Sequence, residues 1–527
     1  MTSTTRDNVS EQTPLLRNPS ESGQEDKSSW TKPKWFLLIQ IALFSNVFLA
    51  GFDGTVTAST YSIISSEFHR SDLASWITTS YLLASTAVQP LYGRFSDVFG
   101  RRACLLFATA SFGLGCLGCA LSANMGSLIF MRAVTGLGGG GLMTMSTIIN
   151  SDLIPTRHRG MYQAIQNILH GFGAICGASV GGIMADAVGW RFCFLSQVGF
   201  VAVTWVVAFV FVQGNGISSP TAGKLGAAWR QIDVTGAALL FVGLVLQLAG
   251  ISLGSNELSW SHPIVISVLA TSCLMLAAFV VAEARCKTVP ILPLGLLAGR
   301  EKVALLVSNV SLGMTAYGFL FLMPLLFQTA LLDSASVAGL RMVPPSLATP
   351  LGGLSTGIVM RRRGSLVTVT RVGLVMLLCS NALMLSLPMG SAEWKFSVFP
   401  IPGNFGSGMI YPSILFSFIR ASGIQEHAVA TSLVYLTRSM GTMWGVSVVS
   451  TIVQNLLPAR LETALPDFEG RKEMIEQLLK STTALRELPL EIQGIVRGVY
   501  YGICQVGIVF LLAMTAVGLV CSFLVRE

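Results

Sequence analysis

Residues 73–92 read LASWITTSYLLASTAVQPLY, residues 93–102 read GRFSDVFGRR, and residues 103–122 read ACLLFATASFGLGCLGCALS. An apolar run, a turn rich in glycine and arginine, and a second apolar run follow one another. Each run has the length needed to cross about 30 Å of hydrocarbon at about 1.5 Å rise per residue. In the turn, Gly93 and Gly100 let two helix ends approach closely. Asp97 and the Arg101–Arg102 pair are placed to form a charge relay with a neighbouring helix end. A plain topogenic loop needs the arginines but not the glycines or the aspartate.

The same pattern fills the chain. Of 527 residues, 52% are hydrophobic and only 11% charged, against about 25% charged in soluble globular proteins. The net charge of +8 would suit nucleic acid if it formed a basic face. It sits instead in short loops between apolar runs, where it sets topology. No nucleic-acid partner is expected, and the bilayer is the expected surroundings. The ten cysteines are scattered through apolar runs. Cys116 and Cys119 form a C-x-x-C without a second pair, so they read as small packing residues, and neither metal nor cofactor is expected. The first 30 residues are polar and the first apolar run is long enough to span, so it reads as an uncleaved anchor.

Fourteen spans follow a polar tail (1–34): 36–57, 73–92, 103–122, 126–147, 162–185, 192–213, 233–253, 264–283, 304–328, 335–359, 367–388, 396–419, 426–455 and 500–524. The least regular is 335–359, which holds Arg341, Pro344, Pro345 and Pro350. With the N-terminus in the cytosol, Lys and Arg gather in alternate loops: Arg94, Arg101 and Arg102; Arg157 and Arg159; Lys224 and Arg230; Arg285, Lys287, Arg300 and Lys302; Arg361 to Arg363; Arg420; and Arg526. The short far-side loops offer only Arg70, Arg191 and Lys395. A miscounted helix would scramble this alternation. Both termini are therefore expected on the cytosolic side.

A weak repeat supports a two-part chain. Gly353-Leu-Ser-Thr-Gly357-Ile-Val-Met-Arg361-Arg362-Arg363 follows the tenth span as Gly93 to Arg102 follows the second. The expected organisation is a disordered cytosolic tail (1–34), a six-helix bundle (35–213), a linker with two inserted helices (214–303), and a second six-helix bundle (304–527) with a luminal loop at 456–498. Repeated halves are how many carriers place one site at their interface.

Gly93 to Arg102 resembles the cytosolic loop signature of the major facilitator superfamily. Asp53-Gly-Thr55-Val56 resembles the first-helix aspartate motif of its fourteen-helix drug:proton antiporter branch. Arg132-Ala-Val-Thr-Gly136-Leu-Gly138-Gly139-Gly140 resembles the fourth-helix arginine motif of proton-coupled members. Gly173-x-x-x-Gly177-Ala178-x-x-Gly181-Gly182 resembles the fifth-helix antiporter motif, departing from it at Ala178, where the family has proline. Asp152 to Gln163 and Gly189 to Gln197 are similar to the fungal vacuolar basic amino acid transporters. The resemblance implies an all-α membrane fold of two six-helix bundles plus two inserted helices, and no enzymatic activity.

Asp53 lies about 17 residues, roughly 26 Å, from the cytosolic start of its span, and Arg132 about 9 Å from the far-side start of its own. Each costs about 2.5–3.5 kcal/mol at a helix centre unless paired. Their similar depth lets them pair if the two helices are neighbours, as the family fold implies. Asp53 is the candidate proton-binding carboxylate, and Arg132 the cation that tunes it. Gln166 and His170, four residues apart on one helix face, Gln328 and Arg438 are further candidates for a cavity lining. The glycines from Gly136 to Gly141 lack a G-K-[ST] and read as close-packing residues rather than a phosphate loop. Glu11-Gln-Thr-Pro-Leu15-Leu16 fits an acidic dileucine sorting signal read by an adaptor.

The expected function is a proton-coupled antiporter carrying basic amino acids from cytosol into the vacuole. The alternatives are a plasma-membrane exporter of drugs or other organic cations, and a non-transporting nutrient sensor on the same fold. Scarcity of carboxylates inside the spans counts against a cationic substrate.

Overall fold

A computed structural model of the chain describes residues 34–70, 73–212, 233–256, 258–286, 290–333, 335–362, 364–423, 426–466, 471–480, 485 and 488–526. Glu11, Leu15 and Leu16 lie outside the described residues. Among the described residues there is no strand.

The first half comprises α1 (Phe36–Glu67), α2 (Ala74–Phe99), α3 (Arg101–Ala120), α4 (Met125–Leu153), α5 (Thr156–Ala187) and α6 (Trp190–Phe211). Next come α7 (Val234–Asn256) and α8 (Pro263–Arg285). The second half is α9 (Arg300–Thr329), α10 (Ala335–Arg361), α11 (Leu366–Ser386), the short α12 (Glu393–Val398), α13 (Pro400–Ser422), α14 (His427–Ala464), the short α15 (Arg471–Lys480) and α16 (Leu490–Ser522). Fourteen of the described helices are thus long. Ten of them are long and apolar enough to cross a membrane on length and composition alone. The other four, α2, α10, α13 and α14, are interrupted by prolines and pack within the same bundle.

Helix packing repeats between the halves. In the first, α1 packs on α5 and α6, α3 on α4 and α6, and α2 on α4. In the second, α9 packs on α14 and α16, α11 on α13 and α16, and α10 on α13. The halves meet through the reciprocal pairs α2 with α14 and α5 with α10. The inserted pair, α7 against α8, sits outside the α2–α14 seam. There it shares one apolar cluster with both halves, including Leu91, Leu240, Phe279, Leu305, Phe418 and Leu433.

Two sequence features explain local geometry. Gly100 has φ +89, a left-handed value that glycine adopts without a Cβ penalty, so α2 turns directly into α3. Asn124 caps α4, accepting from the Ser127 amide in a capping box, which satisfies donors left free by the first turn.

Helix bounds depart from the expected spans where the chain leaves the hydrocarbon. Helix α1 continues ten residues past 57, and the expected loop 456–498 is largely helical, because α14 runs to Ala464 and α16 begins at Leu490. Between them, Ile475 and Leu478 of α15 pack against Leu457, Leu461, Val496 and Tyr500. Arg341 is held at one end of α10 by Asp333 (2.6 Å) and Glu393 (2.7 Å).

Candidate functional site

The face where α1 begins and α16 ends is called basal here, and its opposite the far face. In the far half of the first bundle, α1 and α4 bring Asp53 and Arg132 together. Arg132 Nη1 donates to both carboxylate oxygens, at 2.9 and 2.8 Å. Neither side chain exposes any surface. Arg132 Nε donates to the Ile77 carbonyl oxygen at 3.2 Å. The guanidinium lies over the Tyr81 ring at 4.6 Å and the Phe194 ring at 5.7 Å, and Gln197 Nε2 reaches Asp53 Oδ1 at 3.5 Å. Four helices of one half thus seal one ion pair. Nη2 of Arg132 has no hydrogen-bond partner among the described residues.

The glycines after Arg132 make this closeness possible. A Cβ on Gly136 would stand 2.4 Å from the Tyr81 carbonyl oxygen, and one on Gly138 2.3 Å from the Phe112 amide nitrogen. Helix α4 therefore lies directly on α2 and α3, as small-residue seams allow. The fifth-helix motif works likewise against α1, though not uniformly. A Cβ on Gly173 would meet the Phe48 carbonyl oxygen at 2.2 Å, and one on Gly177 the Phe52 carbonyl oxygen at 2.3 Å. Gly182 faces open space, and the carbonyl oxygen of buried Gly181 accepts from Cys193 Sγ at 3.5 Å. The reciprocal glycine on α1 is Gly51, whose Cβ would meet the His170 carbonyl oxygen at 2.1 Å. Its place in α1, two residues before Asp53, was the available signal.

A second charged cluster lies at the basal face. Arg101 donates from Nη1 to Asp97 Oδ1 (2.7 Å) and Ser96 Oγ (2.7 Å), and from Nε to Asp152 Oδ2 (2.9 Å). On the other oxygen of Asp152, His427 Nε2 of the opposite half stands 2.8 Å away. Gly93 lets the halves touch: a Cβ there would lie 2.8 Å from the Ala428 carbonyl oxygen. Arg102 reaches a different helix end from Arg101, donating to the Phe209 carbonyl oxygen in the last turn of α6 and lying over the Phe209 ring at 4.7 Å. Asp152 and His427 were not anticipated as relay members. An acid closing one apolar run and a histidine opening another carry little local signal until the fold joins them.

Other cross-half bonds also lie toward the basal face or at mid-depth. Thr147 and Tyr435 share one of 2.8 Å, Gln163 reaches Tyr435 at 3.4 Å, and Ser439 donates to Gln89 at 3.1 Å.

The remaining candidates are dispersed. Gln166 is buried and accepts from Thr147 at 3.3 Å. His170 is half-buried one turn along. Gln328 sits at the far end of α9, away from both. Arg438 lies in the second half, over the Tyr411 ring at 4.6 Å and the Tyr435 ring at 5.5 Å.

Comparison with known proteins agrees with this architecture. A family model, Major Facilitator Superfamily, matches residues 43–446. The chain is 45% identical over 467 residues to the uncharacterized transporter C460.03 of Schizosaccharomyces pombe, covering 88% of this chain and 82% of that one. It is 41% identical over 434 residues to vacuolar basic amino acid transporter 2 of Saccharomyces cerevisiae, covering 80% and 91%. The crystal structure of the human organic anion transporter MFSD10 superposes with a TM-score of 0.56 at 15% identity, covering 90% and 99%, a likeness of fold alone. A helical bundle of two repeated halves, a glycine-hinged relay at their seam and these matches lead to one conclusion: the chain belongs to the major facilitator superfamily, and is a multi-pass membrane transporter rather than an enzyme.

Proposed function

We propose that the protein is a proton-coupled antiporter that carries basic amino acids from the cytosol into the vacuole. The supporting observation is the sealed Asp53–Arg132 pair, a carboxylate and a guanidinium held inside an apolar bundle. The 41% identity to a transporter named for vacuolar basic amino acids points to substrate and membrane. The basal face is the cytosolic one in this reading, and its cross-half bonds keep it shut while the opposite side meets the acidic lumen. A proton taken up by Asp53 cancels its charge and frees Arg132, which removes the Coulomb attraction joining α1 to α4. That local loss of pairing biases the two halves toward the alternative arrangement, in which the basal seam opens, substrate enters and the proton leaves.

The test is uptake of labelled arginine, lysine and histidine into isolated vacuoles with and without a pH gradient. Gradient-dependent accumulation is expected. Accumulation indifferent to the gradient contradicts the coupling. A tagged protein at the plasma membrane, with efflux of organic cations, would favour an exporter. Ligand binding without flux in liposomes would identify a sensor.

A further inference from the structure

Arg132 and Arg438 both lie inside the helical bundle, Arg132 in the far half and Arg438 nearer mid-depth, and they differ. Arg132 has Asp53 as its counter-charge. Arg438 has no acidic partner among the described residues. Its electrostatic neighbours are the phenols of Tyr435, Tyr411 and Tyr317. A guanidinium in such surroundings costs about 2.5–3.5 kcal/mol on insertion scales, and its usual remedy is a counter-ion or a watery cavity.

The protein fixes one edge of this guanidinium and leaves the other free. Nε donates to Asn309 Oδ1 at 3.3 Å, and Nη2 to the Tyr411 carbonyl oxygen at 3.2 Å. Asn309 is itself held, donating to the Val434 carbonyl oxygen at 2.6 Å and to Thr437 Oγ1 at 2.8 Å. Nη1 makes no hydrogen bond to the described residues. The surroundings are not fully closed: Tyr317, within electrostatic reach of Arg438, exposes 38% of its surface, and Tyr411 and Arg438 are only half-buried. The neighbouring residues Tyr435 and Ser439 bond to the first half, through Thr147 and Gln89. Arg438 thus sits on a stretch of α14 that packs against the first half.

We propose that Arg438 is the binding residue for the α-carboxylate of the transported amino acid, with the hydroxyls of Tyr317 and Tyr411 as neighbouring donors. A carboxylate matches a pre-oriented guanidinium edge, and such charge-assisted bonds are the stronger kind. The subsite also answers the scarcity of acidic side chains. A zwitterionic substrate brings its own carboxylate to a site that supplies a positive charge. This assignment rests on the reading that the substrate is an amino acid, but does not require that it be a basic one.

The test uses the full-length protein in detergent and measures binding of lysine, arginine, cadaverine, agmatine and arginine methyl ester. For the wild type, lysine and arginine should bind roughly tenfold or more tighter than the three probes lacking a free carboxylate. In Arg438→Gln that preference should disappear through weaker amino-acid binding, with cadaverine and agmatine unchanged. Arg438→Lys should keep part of it. Comparing ligands on the wild type needs no variant, so misfolding of Arg438→Gln leaves the proposal exposed to test. Equal wild-type binding of lysine and cadaverine overturns it, as does a folded Arg438→Gln that retains the preference. Binding of neutral amino acids with loss in Arg438→Gln supports the subsite while removing the basic-substrate reading.

Discussion

His427 Nε2 stands 2.8 Å from Asp152 Oδ1, so the first residue of α14 in one half meets the last turn of α4 in the other. Arg101 holds the second oxygen of the same carboxylate at 2.9 Å. One aspartate thus ties the Gly93 to Arg102 turn, α4 and the opposite half into a single basal clasp.

Removing that clasp should favour the open basal face. Asp152→Asn removes the carboxylate that His427 of the opposite half faces, a part-exposed contact worth about 1 kcal/mol to closure, a shift of about fivefold in the closed-to-open ratio. A cysteine introduced at Gln163, buried against Tyr435 in the closed seam, should then react several-fold faster with a membrane-impermeant maleimide applied from the basal side. An unchanged rate would place the closing energy elsewhere.

The Asp53–Arg132 pair should be costly to break from one side. Asp53→Asn leaves a sealed guanidinium without its counter-charge, a loss of about 3–5 kcal/mol. A double variant, Asp53→Asn with Arg132→Met, should recover much of that loss, because the unpaired charge is gone. Thermal unfolding of Asp53→Asn, Arg132→Met and the double variant measures this non-additivity, and additive losses would argue against a coupled pair.

The fifth-helix glycines should separate by position. Gly173→Ala drives a methyl group to within 2.2 Å of the Phe48 carbonyl oxygen, so α5 must move off α1 at a cost of about 1–3 kcal/mol or more. Gly182→Ala meets nothing within 4 Å and should be neutral. Monodispersity after detergent extraction and thermal unfolding report the contrast; equal tolerance at both positions would contradict the tight α1–α5 contact.

At the far face, Glu67 accepts from Arg191 at 2.6 Å and from the Trp190 indole at 2.5 Å. The Arg191 hydrogen bond, seconded by Trp190, holds its carboxyl below the ordinary carboxylate range. A depressed carboxyl contributes stability that is present above its unfolded pKa of about 4.3 and is lost as pH falls through the folded value. Both partners are more than 40% exposed, so the contribution is below about 1 kcal/mol. Glu67→Gln should therefore lower the unfolding temperature slightly at pH 7 and converge with the wild type at the acid end. Equal effects at both pH values would contradict the pairing.

Much of the fold was legible because the hydrocarbon imposes it. The apolar run lengths and the alternation of Arg and Lys located the fourteen helices without tertiary information. Their ends were not legible where helices leave the apolar zone, since residues 58–67 of α1 and 490–499 of α16 are helical but too polar to read as spans. Asp53 and Arg132 stood out because charge is rare in such runs. Arg101 and Arg102 each reach a helix end, but helix geometry sends the two side chains to different helices, α4 and α6, a division that adjacency in sequence does not record. Asp152, His427 and Gly51 depend on contacts between segments far apart in sequence, which no local pattern records.

Whether Asp53 carries the coupled proton is decided in liposomes containing wild type or Asp53→Asn. Labelled arginine is followed under an imposed pH gradient and, separately, in exchange against unlabelled arginine without one. The prediction is that Asp53→Asn keeps exchange, which verifies a folded carrier, and loses gradient-driven accumulation. Accumulation at the wild-type level in Asp53→Asn would mean that the coupled proton is carried elsewhere.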